Sequence, residues 1–320
     1  MTFNPPTPPQ FAGAFFRRLS RIACGSLMLL ALASPLPAAD MLYVTLDDNT
    51  IVSYDTSSGN AATIAASVAT FASTNLNSPQ ALAFDTSGNL YAANISNSTI
   101  SKFNSAGVYQ SNIAANLNGP AGLAFESSGN RYAANVGNDT ISKFDSSGVY
   151  QSNITSNLNS PIGLAFDSSG NLYAANASTI SKFNSSGVYQ SNITSNLNSP
   201  LGLAFDSSGN LYAANNNGNT ISKFNSSDGY VSSISGNLNV PAGLAFDSSG
   251  NLYAANYGNS TISKFNSSGS FLTSWSTGTA NPFFLAFKPV TVPEPSTYAL
   301  AAIATGVMAY LARRRKARTA

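Results

Sequence analysis

The sequence predicts an all-β fold, a six-bladed β-propeller with four-stranded blades whose ring is closed by a late strand joining the first strands. Three observations predict it. Prolines recur at Pro79, Pro120, Pro161, Pro200, Pro241 and Pro282, 41 residues apart except for a 39-residue step between Pro161 and Pro200. Each of the first five prolines opens a unit of four short runs rich in β-formers, separated by Ser/Gly and Asn-rich turns. Incomplete units at the two ends of the body complement each other and make the sixth.

The unit opened by Pro161 shows the elements in order. Leu164 lies in the first strand, GLAF, which ends in the turn Asp167-Ser-Ser-Gly170. LYAAN from Leu172 is the second, TISKF from Thr179 the third and VYQSNI from Val188 the fourth. Aspartate suits these turns because it bonds nearby amides, and glycine because it accepts positive φ. The short unit loses its two residues between Asn176 and Thr179, in a loop, so no strand is disturbed. The leading segment, Leu42 to Gly59, matches the unit from its second strand onward: Thr50-Ile51 aligns with Thr99-Ile100 and Tyr54 with Phe103. It lacks a GLAF strand, which Pro282 to Lys288 supplies at the far end. Joining the two removes free sheet edges.

Repeated aromatics are expected in the core. Phe84, Phe125, Phe166, Phe205, Phe246 and Phe287 recur on the first strand, Tyr91, Tyr132, Tyr173, Tyr212 and Tyr253 on the second, and Phe103, Phe144, Phe183, Phe224 and Phe265 on the third. A blade packs on neighbours through both faces, so its strands need large residues in both directions. Trp275, the one tryptophan, is expected to fill a gap near the closing blade.

Outside the body, the two ends read as addresses. Residues 1–39 carry Arg17, Arg18 and Arg21, then an apolar stretch from Ile22 to Ala33 and small residues before Asp40, the pattern of a secretory signal peptide. Cys24 stands at the start of the apolar run and not after it, which disfavours a lipoprotein, and as the lone cysteine it forms no intramolecular disulfide. Residues 290–320 contain Pro293, Glu294 and Pro295, an uncharged run over about 297–312, then Arg313, Arg314 and Arg315 in a basic tail. At ~1.5 Å per residue that run makes a helix of roughly 24 Å, shorter than the ~30 Å hydrocarbon core. A short transmembrane helix with the basic cluster inside is expected.

Net charge is +2, but the body differs from its ends. The first 39 residues carry +3 and the last 31 carry +4, while residues 40–289 carry −5. A mildly acidic body argues against nucleic acid as a partner. The chain has no histidine, which excludes a Ser-His-Asp triad, a histidine-ligated zinc and a histidine general base.

Candidate ligand groups are repeated ones. Asn94, Asn135, Asn176, Asn215 and Asn256 end the second strands, beside loops rich in Asn, Ser and Thr that offer the donors and acceptors a neutral sugar polymer needs. Asparagine also serves such loops by capping turns. Lys102, Lys143, Lys182, Lys223 and Lys264 recur once per blade, and five ammonium groups could meet an anionic polymer. Lysines on an outer strand also simply snorkel into water. Asp47, Asp48, Asn49 and Asp139 are loop oxygens with the chemistry for weak Ca²⁺ binding, though solvated acids are the simpler expectation. Glu126 occupies the turn slot filled elsewhere by Asp85, Asp167, Asp206 and Asp247 and is expected to be a turn residue. No metal and no cofactor is expected.

Two resemblances follow from these residues. The pattern of proline, GLAFD, GN-LY-AN and N-TISKF resembles the NHL-repeat propellers, with asparagine at positions 94, 135, 176, 215 and 256 where that family usually has aspartate. It implies six blades and little about activity. Wider six-bladed relatives include gluconolactonase-type hydrolases, which hold a divalent ion at the channel mouth, and streptogramin lyases, which use a histidine this chain lacks. The order Pro293-Glu294-Pro295, short helix, arginine cluster resembles the PEP-CTERM sorting signal. That implies export, recognition by an exosortase-type processing enzyme, removal of the helix and an association with exopolysaccharide.

Repetition bears on activity as well. Lys182 to Pro200 matches Lys143 to Pro161 at every position except Asn184 for Asp145. Catalysis needs one asymmetric set of acid, base and electrophile, whereas near-identical blades offer the same groups several times around a ring, as multivalent binding does. The expectation is an exported, surface- or matrix-associated, non-catalytic propeller that binds exopolysaccharide or another envelope protein. The competing expectation is a metal-dependent gluconolactonase-like hydrolase.

Overall fold

The computed structural model describes residues 40–289. The expected signal peptide, the sorting residues Pro293 to Arg315 and the helix over about 297–312 lie outside them. The first blade contains β1 (Met41–Leu46), β2 (Ile51–Asp55), the short helix α1 (Ala61–Ala66) and β3 (Ala69–Ala72). The second contains β4 (Pro79–Phe84), β5 (Leu90–Asn94), β6 (Thr99–Phe103) and β7 (Tyr109–Ile113). The third contains β8 (Pro120–Phe125), β9 (Arg131–Asn135), β10 (Thr140–Phe144) and β11 (Tyr150–Ile154). The fourth contains β12 (Leu164–Phe166), β13 (Leu172–Ala175), β14 (Ile180–Phe183) and β15 (Tyr189–Ile193). The fifth contains β16 (Pro200–Phe205), β17 (Leu211–Asn215), β18 (Thr220–Phe224) and β19 (Tyr230–Ile234). The sixth contains β20 (Pro241–Phe246), β21 (Leu252–Asn256), β22 (Thr261–Phe265) and β23 (Phe271–Ser276), and β24 (Pro282–Phe287) returns to the first.

Each blade is a four-stranded antiparallel sheet, and the first runs β24-β1-β2-β3. Leu42 pairs with Phe287 and Val44 with Leu285, so the closing strand joins the N-terminal strands as the split unit predicts. First strands touch in sequence around the ring, β24 with β4, β4 with β8, β8 with β12, β12 with β16, β16 with β20 and β20 with β24. The core is accordingly divided among the blade-to-blade seams. Between the second and third blades, for example, Tyr91, Ala93 and Ile100 meet Leu123, Ala133 and Phe144.

One contact recurs at every seam. A second-strand tyrosine meets the first-strand phenylalanine of the next blade edge-on: Tyr43 with Phe84, Tyr91 with Phe125, Tyr132 with Phe166, Tyr173 with Phe205, Tyr212 with Phe246 and Tyr253 with Phe287, with centroids 4.9 to 5.1 Å apart. Such pairs contribute about 0.5–1.5 kcal/mol each beyond the area they bury. First strands also approach through glycine. A Cβ on Gly122 would collide with the carbonyl of Ile162, and one on Gly163 with that of Leu201, both in the next blade.

The first blade departs from the repeat. In place of the short turn before the last strand of the other blades it has α1, capped by Asn60, whose Oδ1 accepts from the Ala62 and Thr63 amides at 2.9 and 3.2 Å. Ile64 of this helix is buried in a cluster with Tyr54 and Trp275. Trp275 also packs edge-on against Tyr54 and Tyr253, across the seam between the sixth and first blades.

Candidate binding site

The five candidate asparagines are buried at the ends of the second strands. Asn135 shows their arrangement. Its Oδ1 accepts from the amide of Asn118 at 3.1 Å, and its Nδ2 donates to Thr140 Oγ1 and Ser142 Oγ at 3.0 and 2.8 Å. Ser142 in turn donates to the carbonyl of Asn116, a residue at φ 56°. Asn94, Asn176, Asn215 and Asn256 repeat the bond to the loop amide and the bond to the serine. These side chains therefore stitch the loop entering each blade to its second and third strands. Both amide hydrogens and the carbonyl are engaged inside the protein, which places the asparagines behind the surface a ligand would meet.

Three of the loop side chains form latches between blades, and Asp48 bonds within its own loop. Asp139 Oδ1 accepts from the Ser160 amide and Asn49 Oδ1 from the Ser78 amide, both at 2.6 Å. Asp47 accepts from the backbone and side chain of Asn281, and Asp48 accepts from Thr50. Among the described residues no group of three or more acidic or cysteine side chains is arranged to hold a metal ion. The exposed part of this face is the tip of each loop, such as Ser96 and Asn97 or Asn138.

The lysines stand on the tyrosines. Lys102, Lys143, Lys182, Lys223 and Lys264 place Nζ over Tyr91, Tyr132, Tyr173, Tyr212 and Tyr253, 4.9 to 5.4 Å from the ring centroids. Four also meet a carboxylate. Lys143 lies 3.8 Å from Glu126, Lys223 3.6 Å from Asp206 and Lys264 3.4 Å from Asp247, each in the first turn of its own blade. Glu126 acts as the turn residue that the repeat requires, accepting from Ser128, Asn130 and Tyr132. Burial raises its pKa, but those hydrogen bonds and the Lys143 charge outweigh burial and hold the carboxyl below its usual range.

Lys182 is paired differently. Its Nζ lies 3.0 Å from Oδ2 of Asp228, which comes from the fifth blade, and Tyr173 donates to Oδ1 of the same carboxylate at 2.9 Å. Asp228 occupies the turn position held by Gly107, Gly148, Gly187 and Gly269 in other blades, at φ 65°. Burial and this carboxylate both push the Tyr173 phenol up.

Lys102 has no such partner. Among the described residues no carboxylate lies within ion-pair reach of it. Beside it is Arg131, in the slot filled by Leu90, Leu172, Leu211 and Leu252 elsewhere. Arg131 is 4% exposed, and its guanidinium sits 4.7 Å from the Tyr91 ring and 5.7 Å from the Phe125 ring. Nη2 donates to the Ser146 carbonyl at 2.7 Å, whereas Nε has no partner. Lys102, Arg131 and Tyr91 line a cavity of about 450 Å³. The repeat reading passes over Arg131 and Asp228; the signal for both is their departure from an otherwise faithful repeat.

Comparison with known proteins supports the fold and the address. An NHL repeat model matches residues 238–265, and a PEP-CTERM protein-sorting motif matches residues 291–316. The chain carries an NHL repeat and a PEP-CTERM motif. A motif of this kind marks an exported protein and implies exosortase processing. No helix of the described residues is long and apolar enough to cross a membrane. No curated protein matches the chain.

Among solved structures, the propeller is similar to a chain of a nidogen/laminin complex, with a TM-score of 0.71 and 18% identity over 79% of this chain and 99% of that one. It is also similar to a protein of unknown function from Bacteroides caccae, with a TM-score of 0.63 and 15% identity over 78% of this chain and 99% of that one. A catalytically inactive histidine-to-alanine variant of virginiamycin B lyase from Staphylococcus aureus gives 0.58 and 13%, over 79% of this chain and 94% of that one. At these identities the likeness is one of fold, shared by enzymes and non-enzymes alike.

Proposed function

We propose that this protein is an exported, surface- or matrix-associated, non-catalytic propeller that binds extracellular polysaccharide. Repetition carries the reading. Five blades each present a lysine over a tyrosine and a polar loop tip, so these groups are distributed around a ring. The sorting motif supplies the address, since a protein exported to the envelope meets surface polymers there. Weak contacts repeated around one rigid body suit a polymer whose own units repeat.

Co-sedimentation of the full chain with the host's own exopolysaccharide, at low and high salt, tests this. Saturable binding is the expected result, weakening with salt where charged corners contribute and persisting where loop amides do. Absence of saturable binding under both conditions overturns the reading.

A further inference from the structure

We infer that the cavity between the second and third blades is a binding site for the carboxylate of an acidic sugar, held by Lys102 and Arg131. The corresponding corner between the fourth and fifth blades shows what such a site takes. There the lysine and the tyrosine, Lys182 and Tyr173, close on a carboxylate that the protein supplies itself, Asp228, at 3.0 and 2.9 Å. Between the second and third blades the residue equivalent to Asp228 is Gly148, which lines the cavity and brings no charge. The position is thus vacated by the turn, and a second cation has been added, because Arg131 replaces leucine.

Burial makes the arrangement costly unless an anion completes it. Arg131 is almost wholly out of solvent, and its guanidinium has the Ser146 carbonyl as an acceptor but no carboxylate within reach among the described residues, so its charge lacks a partner. Stacking on Tyr91 fixes the guanidinium plane, and Nη1 lies 3.5 Å from where a Cβ on Gly148 would stand, beside the vacated position. The rest of the cavity is polar in the way a sugar ring needs: the exposed side chains of Ser111, Asn112 and Ser147 offer donors and acceptors for hydroxyls. A volume of about 450 Å³ lies within the usual range of small-molecule sites. The inference deepens the polysaccharide reading and rests on it for the origin of the sugar.

Calorimetric titration of the full chain with glucuronate, glucose and inorganic sulfate tests the assignment, alongside Arg131→Leu, which installs the residue of the other blades, and Gly148→Asp, which installs the counterpart of Asp228. Glucuronate is expected to bind at least tenfold more tightly than glucose or sulfate, and each variant to weaken it at least tenfold. If Arg131→Leu does not fold, Gly148→Asp carries the test. Equal affinity for sulfate, or glucuronate binding unchanged in a folded variant, overturns the inference. Polymer co-sedimentation by a chain that binds no glucuronate removes this site and leaves the broader reading standing. Glucuronate binding without polymer binding does the reverse.

Discussion

At the residue scale, each blade is held by polar side chains with assigned duties. Asn135 and its equivalents use every donor they have, so Asn135→Ala strands the Asn118 amide and frees Thr140 and Ser142. A loss of about 1–3 kcal/mol is expected, read as a lower denaturation midpoint, while polymer affinity stays unchanged. Asp228 links two blades through Lys182 and Tyr173. Asp228→Ala is expected to cost about 1–2 kcal/mol, the loss of a half-buried charged hydrogen bond together with a stranded lysine, again in chemical denaturation. Ionisation has a definite sign. Burial raises Tyr43 and lifts Tyr54 to about 12, and Tyr132, Tyr173, Tyr212 and Tyr253 are raised as well. The folded pKa of each exceeds its unfolded value near 10, so the stability they confer is complete below pH ~10 and is lost as pH rises above it. Phenolate absorbance is expected to rise in two parts, first the exposed tyrosines and then, only with unfolding, the buried ones.

At the element scale, the first strand is constrained most tightly. Gly122, Gly163, Gly202 and Gly243 lie where the neighbouring blade's backbone passes. Gly122→Ala forces apart the seam between the third and fourth blades, because its Cβ would meet a carbonyl that no side-chain rotation can move. Destabilisation of roughly 3 kcal/mol or more is expected, well above that of Gly250→Ala, where a Cβ meets open space and the penalty is confined to a positive φ. Comparison of thermal midpoints for the two variants separates close approach from backbone conformation. The helix α1 shows a different solution in the first blade. Its buried Ile64 joins Tyr54 and Trp275 at the closing seam, where this blade differs from the repeat.

At the scale of the whole molecule, closure is the central fact. β24 supplies the inner strand of the first blade, and Phe287 supplies the partner of Tyr253. A chain ending at Asn281 leaves the edge of β1 unpaired and opens the seam on both sides. Loss of near-UV circular dichroism and self-association on gel filtration are the expected outcome. The same ring explains how one departure from the repeat becomes a local site. Where seams share one repeated plan, replacing one leucine by Arg131 and retaining Gly148 leaves a charged cavity at one seam, while Asp228 fills the corresponding place at another.

The repeat by itself determined the blade count, the strand order within a blade and the pairing of the two chain ends. Those properties follow from a 41-residue period and from side chains alternating along short strands, both of which are local in the sequence. The asparagines could be seen to recur, but not to face inward: burial depends on the loop of the preceding blade folding over them, as the Asn118 amide does over Asn135. The lysines likewise announced a ring of charge, but whether and where each one meets a carboxylate was set by the turns, which pair Lys182 with Asp228 and leave Lys102 over Tyr91 alone. Only the tertiary structure decided that Arg131, Lys102 and Gly148 share one cavity. They belong to two blades, and the contact between blades is made by a ring that no single repeat encodes.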